Sequence, residues 1–344
     1  EINLHVTTDM KASHKARLSV KDIRIITPKK TFKTKDLHVG INTARDSIRS
    51  YANAGDLTFL FRAQGGIEQL TRHVELLSTR LTKQWKEGYV DLDALKENLP
   101  NATFYIFAKK DNPLANMLAV QNVNFNRLFT KIETSPAEGL KGKAYLYSLR
   151  TDSLELDTIY FNIAQEVGKL AFRSGVIAGN KPFQEAFDVS LNGEIEADGA
   201  NMLIEYLNGK KECGARMGFV AKLQKDGISL HVSPDDPILV YRQFQVNPQN
   251  YIYLKNEGRI EADLGIYDKQ HTGIQFYSTP DSLAQQDLTL ALNRIDIAEF
   301  RRIIPYMPDI AGVINAEVHY VEAGKQMQVS ADMSVNKLAY NRQP

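Results

Sequence analysis

Apolar residues alternate with polar ones, strand after strand, from about Leu140 to the end of the chain. A two-residue period puts successive side chains on opposite faces of a sheet, so Ala316, Val318 and Tyr320 share one face while Asn315, Glu317 and His319 share the other. The same beat returns at Leu154 and Leu156, Val189 and Leu191, Ile260 to Ile266, Leu288 to Leu292, and Met327 to Val335. Such a chain is mostly β and half-buried, with one oily face and one wet face.

The amino-terminal part carries strand patterns at Ile2 to Val6, Leu18 to Ile26, Leu37 to Ile41 and Leu57 to Phe61. Then the period changes. After Gly65 and Gly66, Ile67, Leu70, Val74, Leu77, Leu81 and Trp85 are spaced by three and four, which draws one stripe along a helix over about 66–87 that ends at Gly88. That stripe predicts packing of Leu70, Leu77 and Trp85 onto one end of the sheet or, as a lid or plug, into the mouth of an apolar groove. A short helix follows Asp91 as its N-cap and stops before Pro100; Phe104 to Phe107 reads as a strand, and Asn112-Pro113 opens a helical turn. Asn192-Gly193, Asp198-Gly199, Asn208-Gly209, Asp226-Gly227 and Glu257-Gly258 read as hairpin turns. One further helical interruption, Ile297 to Ile304, ends at Pro305 and Pro308. The resulting division is β-strands over 1–64, a helical insertion with its connecting segment over 65–135, and a continuous β-trough over 136–344.

A meander of about 16 to 20 strands, each about 4.8 Å from the next, extends on the order of 80 to 90 Å and must curl. Folding along its length into an open U-shaped trough turns the apolar face inward without a second layer. Its expected lining is Leu191, Ile195, Ile260, Leu264, Leu290, Ile314, Val318 and Val329. One residue of register slip would turn a strand's whole set outward.

Chemistry is sparse. With 43% hydrophobic and 24% charged residues the chain is foldable, and 42 basic against 41 acidic residues provide no global field to recruit nucleic acid. Lys29, Lys30, Lys33 and Lys35 are a local basic cluster that reads as a solvated turn and edge. Cys213 is the sole cysteine, which excludes an internal disulfide. The seven histidines are scattered with no metal-ligand spacing, and no nucleophile elbow or dinucleotide loop occurs. Gly139-Leu140-Lys141-Gly142-Lys143 has the wrong spacing for a phosphate loop, and the adjacent Asp235 and Asp236 sit between prolines as a turn. No catalytic residue, metal or cofactor is expected, so the protein is read as non-enzymatic. Alternation is already under way at Ile2, and the chain stops just past Tyr340, which predicts a fragment of a longer protein.

Asp287 to Leu292, Ile295-Asp296-Ile297 and Pro305-Tyr306-Met307-Pro308-Asp309-Ile310-Ala311-Gly312, running into alternating Val313 to Tyr320, resemble the TamB family, the large subunit of the translocation and assembly module. Leu92 to Leu95 with Leu99-Pro100, Asn112 to Asn116, Ser135-Pro136 with Gly139-Leu140, Pro237 to Leu239, Phe244 and Asn250-Tyr251 resemble versions of this family from the Bacteroidetes. The resemblance covers most of residues 55 to 344. It implies a periplasmic groove protein, tethered to the inner membrane by a segment absent here, that shields or conducts phospholipid acyl chains towards the outer membrane and works with an outer-membrane barrel protein. An acyl chain of roughly 16 methylenes at about 0.8 kcal/mol each costs on the order of 13 kcal/mol to place in water, so a carrier has to keep it covered. Two other classes compete: a carbohydrate-active or carbohydrate-binding β-helix, which requires parallel coils, and a structural spacer with a closed core.

Overall fold

The computed structural model of the chain describes residues 1–9, 13–26, 31–182, 184–233, 237–279, 283–304 and 307–341. Lys29 and Lys30 of the basic cluster, Pro234 with Asp235 and Asp236, and Pro305 with Tyr306 lie outside the described residues. Among the described residues there are 25 strands and four helices. Twenty-three strands belong to one antiparallel sheet, and Arg24–Ile26 with Thr31–Lys33 form a separate two-stranded one. The expected fold class, a long antiparallel β meander with few helices, is what the structure shows. The chain divides into two compact units, Glu1–Gln84 with Asp91–Gly179, and Trp85–Val90 with Asn180–Pro344.

In the first unit, leaving aside Arg24–Ile26 and Thr31–Lys33, each strand pairs with the next along the chain: Ile2–Thr8, His14–Val20, Leu37–Thr43, Ser47–Ala54, Leu57–Gln64, Ala102–Ala108, Arg127–Ser135, Gly139–Arg150, Glu155–Glu166 and Lys169–Ala178. Two of these strands, Ala102–Ala108 and Arg127–Ser135, fall within the stretch read as a helical insertion. One register row, Leu4, Leu18, Val39, Ala52, Phe59 and Ile106, is apolar throughout. The expected single strand Leu18 to Ile26 is broken, because the chain leaves the sheet after Val20 and Asp22 takes a φ of 54°. Ser47–Ala54 forms a strand without the clean alternation that marks the others. Its Tyr51 covers a glycine: the ring lies across Gly40, its register partner, where any Cβ would collide with it.

The helix Ile67–Glu87 ends as its sequence directs, with Gly88 at a φ of 79°. Its apolar stripe is split. His73 Nδ1 donates to the Asn98 carbonyl at 2.8 Å and Leu70 and Leu77 are half-buried on that side, while Val74 and Trp85 remain exposed and no residue of the helix is buried. The expected burial of the whole stripe on the sheet end or in a groove mouth is therefore corrected: the short helix Leu92–Lys96 and the residues after it take one flank, and Trp85 stays 45% exposed. Among the described residues no helix is long and apolar enough to cross a membrane.

A carboxylate organises the entry to the helix Pro113–Val120. Asp56 accepts bonds from Lys109 N, Asp111 N and Asn112 Nδ2, and Asn112 in turn caps the helix through Ala115 N. Burial pushes the Asp56 carboxyl up, but the bonds from Asn112, Asp111 and Lys109 outweigh it and hold its pKa below the ordinary 3.8. With the folded pKa below the unfolded one, this contribution is full above about 3.9 and is lost as pH falls through the folded value. Asp56→Ala should lower stability by about 1 kcal/mol at neutral pH. In denaturant titrations the gap to wild type should close below about pH 4; a gap that persists in acid would show that the charge is not the cause.

The second unit continues the meander through Phe187–Glu196, Gly199–Asn208, Cys213–Gln224, Gly227–Val232, Ile260–Tyr267, Gly273–Ser278, Gln286–Asp296, Ile310–Ala323 and Gln326–Tyr340. Asn192 and Gly193 lie inside a strand, paired with Leu203 and Met202, and not in a turn as expected. The alternation of Val189, Leu191 and Ile195 runs straight through them, and the hairpin turns further on, at Ala197 and Asp198. An irregular hairpin runs from Gly227 to Lys255. Its outgoing side, Gly227–Val232 and then Ile238–Leu239, follows the same neighbouring strand, Val240 and Tyr241 turn with φ of 53° and 61°, and Tyr251–Lys255 completes the return. Asn250 repairs the break: its side chain accepts from Val232 N at 2.7 Å and donates to the carbonyls of Val232 and Asn247 at 2.9 Å each.

Candidate functional site

Pairing partners in a ladder point to the same face, so register fixes the face of every side chain in the second unit. Leu191 stands opposite Ile204, and Ile204 opposite Met217. Ile195, Ala200, Ala221, Leu230, Ile252 and Ala262 follow one another across six strands. Ala262 shares a strand face with Ile260, Leu264 and Ile266, and Leu264 continues through Phe276, Leu290, Val318 and Ala331. Val329 and Ile314 join by way of Tyr320 and Val335. All eight residues expected to line a groove, Leu191, Ile195, Ile260, Leu264, Leu290, Ile314, Val318 and Val329, thus lie on a single face. The opposite face carries Glu194, Lys222, Ser229, Asp263, Thr289, Glu317 and His319.

Parity alone did not reveal everything on this face. Ile228, Leu230, Ile252 and Leu254 belong to it through strands of only six and five residues, too short for a period to stand out. Two register shifts, between Leu292 and Ile295 and between Ala311 and Val313, let the terminal strands keep their apolar side in step.

The apolar face is not sealed. Val232, Phe244, Val246 and Ile266 form a buried cluster with Met217, Phe219, Leu239 and Leu264 against it. Away from that cluster Ile204, Leu254 and Leu290 are exposed, Leu290 at 38%, and Val329 reaches 64%.

One end is closed by the segment after Gln286–Asp296. Asp296 caps the short helix Ile297–Phe300 through Ala298 N, and the hydroxyls of Tyr206 and Tyr241 donate to the Arg302 carbonyl at 3.4 and 3.2 Å. Six ladder steps separate the strand of Tyr206 from that of Asp296, roughly 29 Å if the sheet were flat. Six residues, four of them helical, reach only about 13 Å. The sheet of this unit must therefore curl, bringing the two strands towards each other over the apolar face. Arg242 pins the closure, pairing with Glu299 and lying 3.3 Å from the buried Asp268. Phe300 and Ile295 leave beneath them an apolar space of only about 30 Å³. Burial, then the neighbouring Tyr241, pushes the Tyr206 phenol up to about 12, so it remains a donor at neutral pH.

The polar face has its own features. A concavity of about 740 Å³ is bordered by Tyr251, Tyr267, Tyr277, Glu261 and Asp263. Ser229 Oγ lies 2.8 Å from His231 Nε2, and His231 Nδ1 reaches the Asn250 carbonyl at 2.5 Å, distances that would suit a nucleophile and its base. Ser229 is only 6% exposed, however, so the pair braces the irregular hairpin and offers no substrate a hydroxyl. Burial, then Glu205, pushes the Cys213 thiol up, away from nucleophilic use. Among the described residues no three metal-ligating side chains cluster.

The chain matches no family model, no curated protein and no solved structure.

Proposed function

We propose that the second unit shields the acyl chains of phospholipids on its inward-curled apolar face, as a non-enzymatic carrier of the kind the TamB resemblance implies. The observation that carries this reading is the continuity of the face. From Leu191 to Ala331 an apolar partner follows on strand after strand, yet many of those side chains remain in contact with water. A folded protein does not normally leave so much adjoining apolar surface uncovered unless something lies against it. Near-equivalent Leu, Ile, Val and Met side chains suit a cargo that must move, because no single position holds it tightly. On this reading the protein acts in the periplasm, held at the inner membrane by a segment outside this sequence, and passes lipid towards an outer-membrane barrel partner.

The antiparallel pairing throughout speaks against a parallel β-helix, and the exposure of Leu290 and Val329 speaks against a spacer with a closed interior. Carbohydrate binding is favoured by one observation, the tyrosine-bordered concavity on the polar face. Mass spectrometry of solvent extracts separates these readings. The purified protein should yield phospholipid at about one molecule or more per chain, and a lipid-free extract from protein prepared without detergent would overturn the proposal.

A further inference from the structure

We infer that Arg49 and Arg62, on the polar face of the first unit, hold the phosphate group of a hydroxyl-bearing ester. The two arginines are register partners on adjacent strands, Ser47–Ala54 and Leu57–Gln64, so their side chains leave the same face side by side. Like charges directly opposite in a sheet are destabilising, and such pairs are ordinarily relieved by an acidic neighbour. Here no relief is present. Neither guanidinium has a hydrogen-bond or ion-pair partner among the described residues.

The row continues from Asn42 through Arg49 and Arg62 to Thr103, Glu133 and Lys141. Both acids that border this space are already neutralised, Glu133 by Lys131 at 2.8 Å and Glu138 by Lys141. The uncompensated charge is thus the guanidinium pair, in a concavity of about 770 Å³ that Asn42, Thr103 and Ser135 also line. Two guanidinium forks present up to ten N–H donors, and a phosphate ester offers free oxygens with a charge of about −1 as a diester to near −2 as a monoester, a match in both geometry and sign. The volume lies in the range of small-molecule sites and leaves room for the alcohol part, whose hydroxyls the amides and hydroxyls of the wall can bind. The phosphate ester is either a soluble molecule or the headgroup of a phospholipid. This site is on the polar face of the first unit and does not depend on the acyl-chain reading of the second.

Calorimetric titration with sn-glycerol 3-phosphate tests the soluble source, and co-flotation with phosphatidylcholine vesicles, with and without phosphatidylglycerol, tests the headgroup. Wild type should bind at least one of the two probes, R62Q should weaken that binding about tenfold or more, and R49Q/R62Q should abolish it. Without ligand, R62Q should melt no lower than wild type, since it removes a repulsion, and the bound probe should raise the melting temperature of wild type but not of the double variant. Binding of glycerol 3-phosphate alone assigns a soluble ligand; binding of phosphatidylglycerol vesicles alone assigns a headgroup. Failure of wild type to bind either, equal binding by R49Q/R62Q, or a marked drop in the R62Q melting temperature would overturn the inference.

Discussion

Leu290→Asp should strip the second unit of its lipid while leaving its sheet intact. Leu290 stands between Phe276 and Val318 in the middle of the apolar face and is 38% exposed, so in the empty protein a carboxylate at this position can reach water. With an acyl chain laid over it, the same carboxylate would be desolvated with nothing to pair with. Even a penalty of about 2 kcal/mol, at the low end for an unpaired polar group, corresponds to roughly a thirtyfold loss of affinity. Phospholipid recovered per chain should fall several-fold, up to about that factor, with an unchanged far-ultraviolet circular dichroism spectrum. Lys222→Asp, on the opposite face, is the control: Lys222 is exposed to water there, and the change should leave lipid content alone. Equal lipid content in Leu290→Asp and wild type would refute the groove.

Asn250→Ala should be among the most damaging single changes in the second unit. Asn250 is 2% exposed, and its amide satisfies both backbone groups of Val232, itself 4% exposed, at the place where the regular ladder is interrupted. Truncation leaves a buried N–H and a buried carbonyl without partners, a cost of about 3 kcal/mol. For a unit of this size that corresponds to a fall in melting temperature of roughly 6 to 12 °C. Asn250→Asp should give no rescue, because a carboxylate keeps the acceptor for Val232 N but sets a negative charge against two carbonyls. Differential scanning calorimetry checks this, and a shift under about 2 °C would mean that the irregular hairpin is held by something else.

Parity was the most legible part of this fold. Ile260, Ala262, Leu264 and Ile266, then Leu288, Leu290 and Leu292, then Ile314, Ala316, Val318 and Tyr320 fall on every second position, and the register leaves each of them on the face their pattern implied. Gly88, Asp91 and Asn112 marked helix boundaries for equally local reasons, a positive φ and two side-chain caps. What stayed hidden depends on partners distant in sequence. The closure at Arg302 rests on Tyr206, 96 residues earlier, and no local period announces it. Gln245–Val246 is a strand of two residues that exists because Ile266 and Tyr267 offer it a ladder. The pairing of Arg49 with Arg62 likewise appears only once the hairpin register is known. Asn192-Gly193 misled because a turn dipeptide is also tolerated inside a strand when its flanks alternate.

The hairpin-by-hairpin pairing of both units has an evolutionary consequence. Since most strands are bound to their predecessor and successor in sequence, duplicating or deleting one regular hairpin changes the span by about 10 Å and leaves the remaining pairs as they were. Reach can therefore be adjusted in fixed increments by gene-level copying, whereas insertion of a single residue inside a strand would invert its faces. Lineages of such a protein should differ by whole hairpins far more often than by odd residues within strands.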